Sequence, residues 1–211
     1  MHSRGFRVRF EYRMANKRKE TKEKTRRKLI QASLGLSAKK GFTAVSLREV
    51  AGAAGITPAA FYRHFKTMDE LGIAVLDEVA LSLRTLLRDS RERFRGSEKI
   101  VEATVDSFLE YVAEHRLLFH FFVSEWQGSS ELYRGFIQDE LALFTKDLTE
   151  DLERNHGKKL KAAALVAEAM AAVVFTMGAQ ALWVKGKGQV ILRTKMIDSL
   201  RLILAGALGE T

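Results

Sequence analysis

A single proline, Pro58, stands in this chain of 211 residues, inside the apolar run SLREVAGAAGITPAAFYRHF at 46–65. Within a helix, proline removes a backbone donor and clashes with the preceding turn, at a cost of about 3 kcal/mol. At the first helical position its absent N–H would be unpaired anyway, so it costs almost nothing. The run therefore reads as two short helices, over about 46–54 and 57–64, with a tight break at Gly55–Ile56. Pro58 opens the second helix and Thr57 is its N-cap. Ser46, with Glu49 three residues on, reads as a capping box at the start of the first.

The helical period recurs almost throughout, with no convincing alternating strand. Leu29, Ala32, Ser33, Leu36 and Lys40 run at three-and-four spacing over 22–40, and Gly41 reads as a stop. A longer helix is expected over 67–94, with Asp69 and Glu70 in the first turn, where the helix dipole favours acids. Further helices are expected over 98–115, with Ser97 as cap, then in HRLLFHFFVSEWQGSSE, over 131–154, over 160–184 and over 190–208. About nine helices with short breaks make an all-α bundle. The stretch AEAMAAVVFTMGAQALWV is short of the ~20 residues that span a bilayer. It also carries Glu168 and Gln180, so it reads as a buried or dimer-forming soluble helix.

The formal charge of +9 is concentrated at the front. Residues 1–66 hold 17 basic and 4 acidic side chains; residues 67–211 hold 18 and 22. A basic front on a mildly acidic body fits a polyanionic partner, or else a solvated basic tail. Met14 is a plausible natural start, and without residues 1–13 the segment 14–66 still carries +10. The absence of cysteine excludes disulfides and thiolate metal sites and agrees with a reducing cytoplasm. The first twenty residues lack the apolar core of an export signal, so a cytoplasmic location is expected.

Two short helices with a three-to-four-residue break form a helix-turn-helix, whose second helix enters the DNA major groove. Val50, Ala51, Ala54 and Ile56 would fill the joint, and Phe61 and Phe65, four apart, would anchor the second helix. Ala59, Ala60, Tyr62, Arg63 and His64 would then face elsewhere. The alanines allow close approach and contact with thymine methyls. Tyr62, His64 and Lys66 suit phosphates, and Pro58 opens a helix whose free N–H groups could face one. Ordinary half-buried packing of Tyr62 and His64 is the competing reading.

The stretch SLREVAGAAGITPAAFYRHFKTMDELG closely resembles the DNA-binding domain of TetR-family regulators: the small-residue turn at Gly55, the FYRHF core and the acidic MDEL. KEKTRRKLIQAS, SLREVA, FYRHF, DELG and AEAMAAVVFTMGAQAL further resemble the FabR/DesT-like branch, which represses unsaturated fatty acid synthesis. This likeness runs from about Lys22 to Leu182. One departure is visible: Glu125–Trp126 stands where that branch has Glu-Arg, which puts any ligand role of that arginine in doubt. The resemblance implies a homodimer, with a basic extension at 1–21, a DNA-binding domain at 22–66 and a ligand-binding and dimerising domain at 67–211. It implies that Arg48 reaches a base, and that Ser46, Thr57, Tyr62, His64 and Lys66 meet phosphates.

The second half is rich in large apolar residues. Phe108, Phe119, Phe122, Trp126, Phe136, Phe144, Met170, Phe175 and Met177 are candidates to line an apolar tunnel; ordinary core is the competing reading for each. With the resemblance, the implied effector is a long-chain acyl-CoA or related thioester. The last two helices would pair across a dimer axis, through Leu192, Met196, Leu200, Ile203 and Ala207 on one and Ala164, Ala171, Gly178 and Ala179 on the other. No cofactor, metal or enzyme activity is expected. His115 and His120, five apart, face different sides of a helix, and there is no Gly-rich phosphate loop or G-x-S-x-G elbow. Two alternatives remain: a similar regulator of efflux or catabolism that answers another hydrophobic molecule, and a helical protein-binding or acyl-carrier module with a merely solubilising tail.

Overall fold

Helix α1 spans Ser3–Lys40 in the computed structural model, which describes residues 3–157, 160 and 162–209. Met1, His2, Lys158, Lys159, Lys161, Glu210 and Thr211, which the expected segments include, lie outside the described residues. The expected start at 22 is too late. The run from Ser3 to Lys28 has no proline and is rich in Arg, Lys and Glu, straight-chain residues that lose little freedom in a helix. The buried face of α1 is also turned from the expected stripe. Leu29, Ile30, Ser33, Leu34 and Ser37 are buried, whereas Leu36 is half-buried and Lys40 exposed. Ser33 and Ser37 are tolerated inside because their hydroxyls donate to Ile30 O (2.8 Å) and Leu34 O (3.0 Å).

After a 3-10 turn at Phe42–Ala44 come α2 (Leu47–Ala53), α3 (Pro58–Phe61) and α4 (Met68–Arg93). There follow α5 (Ile100–Glu114), α6 (Arg116–Trp126), α7 (Glu131–His156), α8 (Ala163–Ala181) and α9 (Lys187–Leu208). The architecture is all-helical, and no strand occurs among the described residues. Ser97 does not cap α5 directly: Lys99 holds the cap position, and Ser97 Oγ accepts from the Lys99 N–H at 3.2 Å. Ser130 caps α7 by accepting from the Tyr133 N–H at 3.4 Å.

The chain divides into two compact units, Met1–Val75 and Leu76–Thr211, and α4 is the segment that runs from one into the other. In the first, α1, α2 and α3 enclose Leu29, Leu34, Val50, Phe61 and Phe65. In the second, α8 packs on α5, α7 and α9. Ser82 and Tyr111 share a 2.7 Å hydrogen bond between α4 and α5, and Arg84 pairs with Glu140 of α7 at 3.3 Å.

Helix α8 has the length and composition to cross a membrane, yet it buries Val166, Ala167, Met170 and Phe175 against its neighbours. The stripe expected to form a dimer face is largely internal. Leu192, Met196 and Leu200 are buried, and Gly178 lies against Phe108 of the same chain. Packing on α5 and α8 takes most of that face, so the large apolar residues left exposed on this hairpin are Leu165, Trp183, Val190, Ile191 and Leu202, with Ala164 of the expected stripe exposed beside them.

Candidate nucleic-acid interface and effector cavity

The break between α2 and α3 is built by its own residues. Gly55 has φ 71, a left-handed conformation that favours glycine. Its N–H donates to Gly52 O (3.1 Å), and the Ile56 N–H to Ala51 O (2.9 Å), the paired bonds of a Schellman end. Thr57 Oγ1 accepts from the Ala60 N–H at 3.2 Å, and Pro58 sits at the helix start. Ser46 Oγ accepts from the Glu49 N–H at 3.3 Å, while Glu49 Oε2 accepts from the Ser46 N–H at 2.9 Å. Lys40 Nζ closes on the same carboxylate at 2.8 Å. With this ammonium as the leading cause, the Glu49 carboxyl is held down to about 2. Each side-chain cap stabilises its helix by about 1 kcal/mol.

Val50, Ala51, Ala54, Phe61 and Phe65 are buried behind this break, and Ile56 is half-buried. Phe61 and Phe65 lie 5.9 Å apart, with the Arg26 guanidinium 5.0 Å above Phe65. Ser46, Arg48, Thr57, Pro58, Ala59, Tyr62, Arg63 and Lys66 are exposed, Tyr62 to 60%. Ala60 and His64 are half-buried, and His64 Nδ1 is enclosed without a partner. Burial first, then Lys22, Arg26 and Arg63, pull the His64 imidazole below its ordinary range. The second helix is shorter than expected: α3 ends at Phe61, and 62–64 are turns. Lys17 and Lys22 of α1 line one groove with Arg63 and His64, a convergence that only the basic run at 17–28 hinted at.

In the second unit, α4, α5, α7, α8 and α9 line a partly open cavity of about 90 Å³. Of the nine tunnel candidates, Phe108, Phe144 and Met170 line it. Phe119, Phe122, Trp126 and Phe175 instead pack with Phe108 and Phe144 as an aromatic cluster. Phe144 meets Phe175 at 5.4 Å, Phe108 meets Phe119 at 5.6 Å, and Phe122 meets Phe175 at 5.9 Å. Phe136 and Met177 are half-buried and do not line this cavity. Trp126, at the position where arginine was expected, stands 6.1 Å from Phe175, and burial pushes the Glu125 carboxyl up.

Two charged residues that the sequence did not single out line the cavity as well. Arg91 and Asp151, both buried, meet at 2.6 Å between Nε and Oδ2. They stand sixty residues apart on separate amphipathic helices, so no local pattern marks them. No cluster of metal-ligating side chains occurs among the described residues.

Known proteins agree with this geometry. Residues 29–75 match the bacterial regulatory proteins of the tetR family. An uncharacterized HTH-type transcriptional regulator of Haemophilus influenzae is 38% identical over 195 residues, covering 92% of this chain and 95% of that protein. Two solved structures share the fold at lower identity. The fatty acid degradation regulator FadR of Bacillus halodurans superposes with a TM-score of 0.72 at 18% identity, over 86% of this chain and 95% of that one. A transcriptional regulator of Aquifex aeolicus does so at 0.69 and 20%, over 85% and 99%. Proteins of this kind are dimeric DNA-binding regulators that answer small molecules, not enzymes. The chain belongs to the TetR family of helix-turn-helix transcriptional regulators.

Proposed function

We propose that this chain represses genes of unsaturated fatty acid synthesis, in the manner of the FabR/DesT-like branch, and that a long-chain acyl-CoA or related thioester modulates it. The observation that carries the reading is the apolar cavity walled by Phe108, Phe144, Leu148 and Met170, whose remaining walls include Leu87 and Arg91 of α4. Because α4 continues from the first unit into the second, an occupant pressing on it is well placed to bias the reading heads. It does so only through unequal affinity for the DNA-competent and DNA-incompetent states. An end product should repress its own synthesis, so unsaturated chains strengthen DNA binding more than saturated ones. The structural likeness to a fatty acid degradation regulator supports the same effector class.

On this reading, residues 22–66 form the DNA-binding domain and 67–211 the sensing and dimerising domain, with 1–21 as a basic extension. Arg48 reads a base; Ala59 and Ala60 approach the groove; Ser46, Thr57, Tyr62, Arg63, His64 and Lys66 hold phosphates, with Pro58 fixing the turn before them. The homodimer pairs α8 and α9 through their exposed apolar residues, Leu165, Val190, Ile191 and Leu202 among them. Selection from random duplexes tests the DNA half. It should return a palindrome, and Arg48→Ala should relax one position per half-site, a loss of roughly 1–3 kcal/mol in discrimination. Retained specificity in that variant contradicts the assignment.

The small size of the cavity, about 90 Å³ between two phenylalanines, favours a second reading: a compact hydrophobic effector and control of efflux or catabolism. Native mass spectrometry of the purified protein separates the two. An acyl adduct supports the first reading and a compact aromatic adduct the second.

A further inference from the structure

We propose that the buried Arg91–Asp151 pair is the head-group site of the effector cavity, where Arg91 donates to the carbonyl or carboxylate oxygen of an acyl ligand and Asp151 is the internal anion it competes with. The proposal rests on the acyl-sensing reading above and deepens it.

Arg91 is 7% exposed and lines the cavity beside Asp151, Asn155 and His156, the last two turns of α7. Its Nε donates to Asp151 Oδ2 at 2.6 Å, and its guanidinium lies 5.9 Å from the Phe144 ring centre. Its Nη2 is buried with no partner. An enclosed, unpaired guanidinium N–H is costly, and an acceptor oxygen brought by a ligand removes that cost. Guanidinium presents its donors in a planar fork suited to carboxyl oxygens.

Asp151 is already shared. Its Oδ1 accepts from Arg154 at 3.1 Å, and Arg154 also meets Glu92 at 3.1 Å, which Arg95 contacts in turn. Three arginines thus face two carboxylates, so the cluster carries one uncompensated positive charge. Apart from Thr104, Asn155 and His156 the rest of the wall is apolar, Leu87, Val105, Phe108, Leu148 and Met170 among it. A matching ligand has an apolar body and one oxygen-bearing, neutral or singly anionic head; a cation is repelled.

The test uses the full-length protein and three ligands with one chain: oleate, oleoyl-CoA and oleyl alcohol, titrated by calorimetry. The wild type should bind an acyl compound at least about tenfold tighter than the alcohol. Whichever of oleate and oleoyl-CoA is tighter identifies free acid or thioester as the source. Arg91→Met should bring acyl binding to within a few-fold of the alcohol and leave the alcohol unchanged. Asp151→Asn should tighten acyl binding, since it removes the competing anion. An acyl preference that survives Arg91→Met, or equal losses for all three ligands in both variants, overturns the proposal and leaves acyl sensing standing. Binding of none of the three to the wild type overturns acyl sensing itself, and this site with it.

Discussion

Gly178 of α8 offers a quantitative test of how tightly the sensing unit is packed. A methyl group there would stand 2.5 Å from Phe108 Cζ, 2.7 Å from Cε1 and 3.1 Å from Phe119 Cζ. Carbon atoms are at ease about 3.5–4.0 Å apart, so Gly178→Ala requires Phe108 to retreat by about 1 Å. Phe108 is 1% exposed and edge-on to Phe119 and Phe175, at 5.6 and 6.2 Å. Its room to move is the cavity it lines. Overpacking costs about 1–3 kcal/mol, whereas alanine gains about 1 kcal/mol over glycine in a helix interior. The packing cost wins, and the net loss is about 1 kcal/mol. Urea denaturation followed by tryptophan fluorescence should show a lower midpoint at an unchanged slope. Effector affinity should fall with it, because the displaced ring occupies ligand space. A gain of about 1 kcal/mol, the helix-propensity effect alone, would refute the close packing of Phe108 on α8.

Three further outcomes are expected. Because Lys40 and Ser46 hold the folded Glu49 carboxyl down to about 2 from 4.5, its stabilisation is complete above pH 4.5 and is lost as pH falls toward 2; Glu49→Gln should remove that acid-dependent loss in a urea series at several pH values. Burial and neighbouring cations hold the His64 imidazole below its ordinary range, so if His64 holds a phosphate as proposed, binding should be coupled to proton uptake. Operator affinity should therefore rise as pH falls from 7.5 toward 6, by at most about tenfold per pH unit per protomer, and His64→Gln should flatten the curve; a slope that persists in the variant removes His64 from the interface. Lys66→Ala should remove one phosphate contact per protomer and make the dimer's log–log salt slope shallower by about 1.8, whereas an unchanged slope means that Lys66 meets no phosphate.

The local chemistry of the reading head was readable from the chain. Ser46 with Glu49, Thr57 before Pro58, and Gly55 at the break each act within five residues, and the backbone bonds they make are the ones their types predict. The length of α3 was not readable, because the capping and periodic signals say where a helix starts and which face is buried but not where it ends. The stripe on α1 was misplaced in part because Ser37 looks polar, yet its hydroxyl bonds back to Leu34 O of its own helix and so is admitted to the core. Helix α9 shows the limit of amphipathicity, since Leu192, Met196 and Leu200 announce a buried face without saying whether the same chain or a second copy covers it. Arg91 and Asp151 were invisible for the deepest reason: their meaning lies in a contact across sixty residues.

The most direct measurement is fluorescence anisotropy on the selected palindrome, with the full-length protein alone, with oleoyl-CoA and with stearoyl-CoA, beside a non-specific duplex. The expected result is specific binding that oleoyl-CoA strengthens and stearoyl-CoA changes less or reverses. Specific binding that neither acyl-CoA alters would contradict the effector assignment, and equal binding to both duplexes at every salt concentration would contradict the reading head itself.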